Sequence, residues 1–210
     1  MVKAEARVWR GSGAARLVLA SASATRAKLL QSAGVAFEVV PAHVDEASLK
    51  VAMKAEHASS RDTALALAEL KAQRISASQP EALVLGCDQL LDCAGTWFDK
   101  AVDRADAAGQ LRALSGRTHE LATAACVVQG GQRLWHAFEA PRLTMRTLDE
   151  ALIVGYLDRA EDEAVGCVGA YRLEGLGAQL FTRVEGDYFS ILGLPLLALL
   201  DFLRGQKIAP

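Results

Sequence analysis

ALVLGCDQLLDCAGTWFDKA, residues 82–101, is the stretch that decides the fold class. The apolar run Ala82–Leu85 predicts a buried strand, closed by Gly86 with Asp88 just past it. Leu90-Leu91 continues the strand, Ala94-Gly95 turns the chain, and Thr96–Phe98 returns toward Lys100. This is the pattern of a β-hairpin, which demands antiparallel pairing. It places Asp88 and Lys100 on neighbouring strands or at their ends.

Working outward, a second hairpin is predicted at GGQ, 130–132. It follows the long strand in SGRTHELATAACVV and precedes strand candidates Leu134–Phe138 and Arg142–Arg146. Upstream, Arg16–Ala20 predicts a short apolar strand, followed by a helix over about Ala24–Ser32 capped by Ser23 or Thr25 and ended by Gly34. Phe37–Val40 predicts another strand. Residues 47–79 read as helical, with Leu65, Leu67, Ala68, Ala72 and Ile75 on one face and Asp62 as the expected cap. Glu69 and Lys71, two apart, do not share a face. Further helices are expected over Asp103–Leu114, Leu148–Asp158 and Pro195–Arg204. The segment 169–193 is rich in glycine, with only Ala178–Val184 patterned as a strand. Interleaved strands and helices with two hairpins give a mixed α/β fold: a partly antiparallel sheet flanked by helices.

The chain has 210 residues, 51% of them apolar and 23% charged, which excludes a disordered or fibrous protein. A formal charge of −2 offers no broad footprint for nucleic acid, so any anion site must be local. Cys87, Cys93, Cys126 and Cys167 form no CxxC pair and are expected as reduced, mostly buried thiols, consistent with a cytoplasmic location. Residues 1–15 predict a flexible tail, and the apolar run Leu17–Ala20 that follows is too short for a signal-peptide core. ILGLPLLALLDFL near the C-terminus, broken by Gly193 and Pro195, predicts a buried helix and no membrane span.

Polar residues at strand ends are the candidates for chemistry, because clefts in α/β proteins form there. In LASASATRAKLL, 19–30, the hydroxyls of Ser21 and Ser23 and the cation Arg26 sit at a strand-to-helix junction. The exposed N–H groups of a helix N-terminus suit a polyphosphate. From spacing alone, a plain helix cap with a solvated Arg is the commoner outcome. Asp88 is a metal ligand, a general base or a turn former. Asp45 and Glu46 are a second carboxylate pair or a polar turn. His119, after Arg117 and Thr118, reads as structural. Cations (Arg26, Lys71, Lys100) with carboxylates (Glu46, Asp88) at element ends suit metal-assisted attack on a phosphoanhydride.

Taken together and in order, the motifs resemble those of the Maf family of nucleotide pyrophosphatases. LASASATRAKLL is similar to its N-terminal SxSxxRxxLL signature, VDE at 44–46 to its acidic turn, and ALAELKA at 66–72 to its LAxxKA helix. LVLGCDQ at 83–89 resembles its strand with Gly-x-Asp, and FDKA at 98–101 stands where the family has GKP. LSGRTH at 114–119, GAYRLEGLG at 169–177 and EGDYFSILGLPL at 185–196 complete the match, which spans about Leu17 to Leu203.

The resemblance implies a single two-lobed domain over 16–210 with a cleft between the lobes, a homodimer, and a divalent cation (Mg²⁺, Mn²⁺ or Co²⁺). It implies hydrolysis of a nucleoside triphosphate to the monophosphate and pyrophosphate, in a house-cleaning role. Asp88, Lys71 and Lys100 take the catalytic positions. Ser21, Arg26, Thr118, Gln89 and Glu174 take substrate-binding positions, and Glu46 and Asp88 the metal positions. Which of the two carboxylates is ligand and which is base stays open. Gln89 in place of Thr, and Glu174 in place of Gln, resemble the subgroup that prefers 7-methyl-GTP. Ala101 in place of proline loosens the turn at Lys100. The alternative reading is a nucleotide-binding regulator of septum formation with little turnover.

Overall fold

The computed structural model describes residues 15–209. The tail expected over 1–15 lies, apart from Ala15, outside the described residues. The described chain forms two compact units.

The first unit comprises residues 15–89, Thr123–Glu139 and 192–209. Strand β1 (Leu17–Leu19) lies parallel to both β2 (Glu38–Val39) and the first part of β3 (Leu83–Cys93). Neighbours run β2-β1-β3-β5, where β5 spans Thr118–Gln129, and β6 (Gln132–Glu139) pairs antiparallel to β5 across the Gly130-Gly131 turn. Both glycines have positive φ, which a tight hairpin turn requires. Helices α1 (Ala24–Ser32), α2 (Glu46–Ala55) and α3 (Ser60–Ser76) belong here, as does the last helix of the chain, α7 (Leu196–Gly205). Leu17, Val18, Leu19, Leu67, Leu83 and Leu85 are essentially inaccessible, as is Leu199 on α7, so this end of the sheet is covered by apolar side chains.

The second unit, Leu90–Ala122 with Ala140–Ile191, is built on antiparallel pairings. Strand β4 (Thr96–Phe98) returns along β3, β7 (Arg142–Met145) pairs with β5, and β8 (Phe181–Glu185) pairs with β7. Its own core gathers Leu111 and Leu114 of α4 (Arg104–Leu114), Ile153 and Leu157 of α5 (Glu150–Val165), and Leu91, Leu143 and Tyr171. A short helix, α6 (Tyr188–Ile191), ends the unit. The mixed, partly antiparallel sheet flanked by helices matches the expected class. No described helix is long and apolar enough to cross a membrane, and α7 buries Leu196, Leu199 and Leu203 as expected of the apolar run that contains it.

Several expectations are corrected. The helix predicted across 47–79 is two helices, broken at Glu56–Ser59, where His57 has φ +56°. Ser59, and not Asp62, caps α3: its Oγ accepts from the Asp62 N–H at 3.1 Å and donates to the Asp62 carboxylate at 2.6 Å. Asp45 is likewise no loose turn residue but the cap of α2, accepting from the Ser48 N–H at 3.0 Å. Helix α5 runs on past Asp158 to Val165, because Ala160 and Ala164 continue its buried face. Residues 178–180 belong to a 3-10 turn (Leu176–Leu180) that precedes β8.

Candidate active site

In the first unit the site grows from one close approach. Strand β3 does not stop at Gly86; it is continuous over eleven residues, so Asp88 lies within the strand and not past its end. Residues Gly86 and Asp88, two apart, share one face of the pleat. At Gly86 helix α3 comes so near that an added Cβ would stand 2.0 Å from the Ala68 carbonyl oxygen and 2.9 Å from the Ala72 Cβ. Glycine on the strand and alanine on the helix let the two backbones nearly touch. Lys71, on the same helical face, is thereby set against Asp88.

The contact is short and dry. Lys71 Nζ donates to Asp88 Oδ1 at 2.6 Å and pairs with Glu46 Oε1 at 2.8 Å. Asp88 is 4% exposed and Lys71 7%. Glu46, the first residue of α2, is more open, with 42% of its side chain exposed. The second Asp88 oxygen, Oδ2, is buried and has no hydrogen-bond partner. Burial raises the Asp88 pKa above the usual carboxylate range, against the opposing pull of Lys71 and Arg26. An orphaned, desolvated carboxylate oxygen is costly and is therefore a place for a proton, a water or a cation.

Ser23 caps α1, its Oγ accepting from the Arg26 N–H at 3.4 Å. The choice between Ser23 and Thr25 is thus decided for Ser23. Ser21, 7% exposed, accepts from the Ser23 N–H at 3.3 Å. The Arg26 guanidinium donates to Ser21 Oγ at 3.2 Å and to the carbonyls of Cys87 at 3.1 Å and Gly193 at 2.8 Å. Arg26 is therefore neither a solvated cation nor one open on all sides. Two backbone carbonyls steer it, and its charge is sensed at Asp88. Gln89 points to the other face of β3 from Asp88, where its Nε2 donates to the buried Thr123 hydroxyl at 2.8 Å. Cys87 is on that face too, fully buried, its thiol pushed up to about 11 by desolvation.

The structure thus brings Ser21, Arg26, Glu46, Lys71 and Asp88 together in the first unit. Lys100, Thr118 and Glu174 belong to the second, and all three are exposed. Lys100 forms an antiparallel bridge with Val168 just beyond β4. Thr118 opens β5, its hydroxyl 2.9 Å from that of Thr144. Glu174 sits in a turn closed by the Gly175 N–H on the Arg172 carbonyl at 3.3 Å. His119 is structural, as read: it is 2% exposed, with Nε2 2.7 Å from the Tyr171 hydroxyl. Burial lowers its pKa to about 4, which keeps it neutral.

Sequence reasoning missed Gly86, Ala68 and Ala72 as determinants of the site. The signal was present as two alanines four apart flanking Lys71, a small-residue stripe that admits a close neighbour. Glu46 and Asp88 are hard oxygen donors of the kind Mg²⁺ and Mn²⁺ take. Among the described residues no group of three or more His, Cys, Asp or Glu could hold a metal alone.

The model of the Maf-like protein family matches residues 16–206. A nucleoside triphosphate pyrophosphatase of Paramagnetospirillum magneticum is 54% identical over 187 residues, covering 89% of this chain and 96% of that protein. Those so named from Granulibacter bethesdensis and Rhodospirillum rubrum are 52% and 50% identical over 192 residues, covering 91% of this chain and 98% and 95% of theirs. With nearly the whole described chain inside the match, the chain belongs to the Maf-like protein family.

Proposed function

We propose that the chain is a nucleoside triphosphate pyrophosphatase, releasing a nucleoside monophosphate and pyrophosphate. The observation that carries this reading is the buried Lys71–Asp88 pair, joined by the half-exposed Glu46, with its orphaned Asp88 Oδ2. The relatives' names support the same activity. Lys71 engages Oδ1 and so leaves Oδ2 as the basic atom. There Asp88 accepts the proton of the attacking water, and its raised pKa makes it a stronger base than an ordinary aspartate. Ser21, Arg26 and the first turn of α1 hold phosphate oxygens, and the Gly193 and Cys87 carbonyls fix the angle from which Arg26 reaches them. Lys100, Thr118 and Gln89 are assigned to substrate by the resemblance. A divalent cation held by Glu46 and Asp88 would neutralise charge on the phosphates. A homodimer and a cytoplasmic location are part of the same reading.

The finer proposal is that the base is 7-methylguanine. Its ring carries a positive charge, and its N1–H and exocyclic amine are donors, so the exposed Glu174 carboxylate suits it on both counts.

The test is pyrophosphate release from canonical and methylated triphosphates with Mg²⁺, Mn²⁺ and Co²⁺. Asp88→Asn is expected to lower kcat by roughly 10²–10⁴-fold while the circular dichroism spectrum is kept. Wild-type turnover in that variant sinks the mechanism. Failure of the wild type on every nucleotide promotes the regulator reading. Glu174→Gln is expected to reduce the ratio of 7-methyl-GTP to dTTP turnover, and an unchanged ratio removes the base assignment.

A further inference from the structure

Lys100 is an exposed lysine just beyond the end of a three-residue strand, and no proline stiffens the turn after it: Ala101 stands there. A side chain in that position needs its backbone held if it is to act reproducibly on a phosphate. Two residues of α4, one turn apart, do the holding. Asp106 Oδ2 accepts from the Val102 N–H at 3.0 Å. Gln110 Nε2 donates to the Asp99 carbonyl at 3.1 Å and, more weakly, to Asp106 Oδ2 at 3.4 Å. The peptide that precedes Lys100, and the Ala101–Val102 peptide one residue beyond it, are thus tied to one helix.

The other end of Gln110 is anchored. Its Oε1 accepts from the Gly169 N–H at 3.1 Å. Gly169 has φ +76°, and a Cβ there would lie 2.5 Å from Leu91 Cδ1, so its backbone is wedged into the core. Gly169 follows Val168, the bridge partner of Lys100. Gln110 is only 8% exposed, and its amide oxygen and nitrogen are both engaged by backbone.

We infer that Gln110 is a positioning residue for Lys100: it transmits the fixed place of Gly169 to the Asp99 carbonyl and so sets where the Lys100 ammonium can reach. This rests on the reading of Lys100 as a polyphosphate contact. A merely structural glutamine would satisfy the same buried groups without any tie to Lys100, so the two roles separate in a double-mutant cycle.

The cycle uses Gln110→Met, close in shape and lacking both hydrogen bonds, with Lys100→Met and the double variant. It is read as kcat and KM for pyrophosphate release, alongside thermal melting. Gln110→Met is expected to lower kcat roughly tenfold with little change in KM. In the Lys100→Met background the same change is expected to cost nothing further. If Gln110→Met costs the same factor in both backgrounds, Gln110 does not act through Lys100 and the inference is overturned alone. If Lys100→Met itself turns over like wild type, the assignment of Lys100 fails and takes the inference with it. Should Gln110→Met not yield folded protein, Gln110→Glu takes its place in the cycle. It keeps the acceptor for Gly169 and loses the donor to Asp99, and the same two outcomes decide.

Discussion

The two units hold their charged residues by opposite means. In the first, Lys71 and Asp88 are buried, 2.6 Å apart, and pressed together by a glycine that lets a helix touch a strand. In the second, the charged Lys100 and Glu174 are exposed beside Thr118, and a buried titratable group, His119, is kept neutral. Desolvation is what shifts a pKa and sharpens a Coulombic contact, so the first arrangement suits proton transfer. The second suits recognition, where groups in water must pair with whatever charge the ligand brings.

The comparison is broken most directly at the lysines. Lys71→Met is expected to cost about 3–5 kcal/mol of stability, because it strands a buried carboxylate that had a partner. Lys100→Met, at an exposed site, is expected to stay within about 0.5 kcal/mol of wild type. Urea midpoints measure both, and equal midpoints would show that burial at Lys71 carries no energetic weight.

Next in size is the acid response of the second unit. The folded pKa of His119 lies below its ordinary 6.5, at about 4. The folded state therefore binds the proton less well than the unfolded chain. The stability neutral His119 contributes is present above 6.5 and is lost as pH falls through that window toward about 4. The loss is on the order of 3 kcal/mol. Melting temperatures of wild type and His119→Asn across the window check this: the variant should lack that part of the slope. Parallel curves would remove His119 as the cause.

The smallest effects contrast two glycines. Gly86→Ala is expected to destabilise by about 1–3 kcal/mol through overpacking against α3, and to lower turnover by moving Lys71. Gly109→Ala, where nothing lies within 4 Å of the new Cβ, is expected to stabilise α4 by up to about 1 kcal/mol. Chemical denaturation of both variants tests the pair. A tolerated alanine at 86 with full activity would mean that the close approach does not set the site.

How far the sequence could be read follows from the range of each interaction. Local grammar was legible: α1 with a cap at Ser23 or Thr25, the Ala94-Gly95 and Gly130-Gly131 turns, and α4 after Asp103 all depend on residues a few positions apart. The break between α2 and α3 was missed because helix formers surround it and the Ser59 cap looks no different from its neighbour Ser60. β3 was read as interrupted at Gly86 because glycine in a strand usually marks an end or a bulge. Here it marks a contact with Ala68, eighteen positions away in sequence, which no local pattern reveals. The steering of Arg26 by the Gly193 carbonyl is more distant still. The motifs named the candidate residues, and long-range packing decided what each one touches.

The contact at Gly86 also has a genetic consequence. Every missense change at a glycine codon installs at least a methyl group, so position 86 offers selection no graded series of variants. Fine adjustment of the Lys71–Asp88 separation must then arise on the opposing helix, at Ala68 or Ala72, where glycine, alanine and serine form a ladder of sizes. Libraries built to retune this hydrolase should leave 86 untouched and diversify 68 and 72.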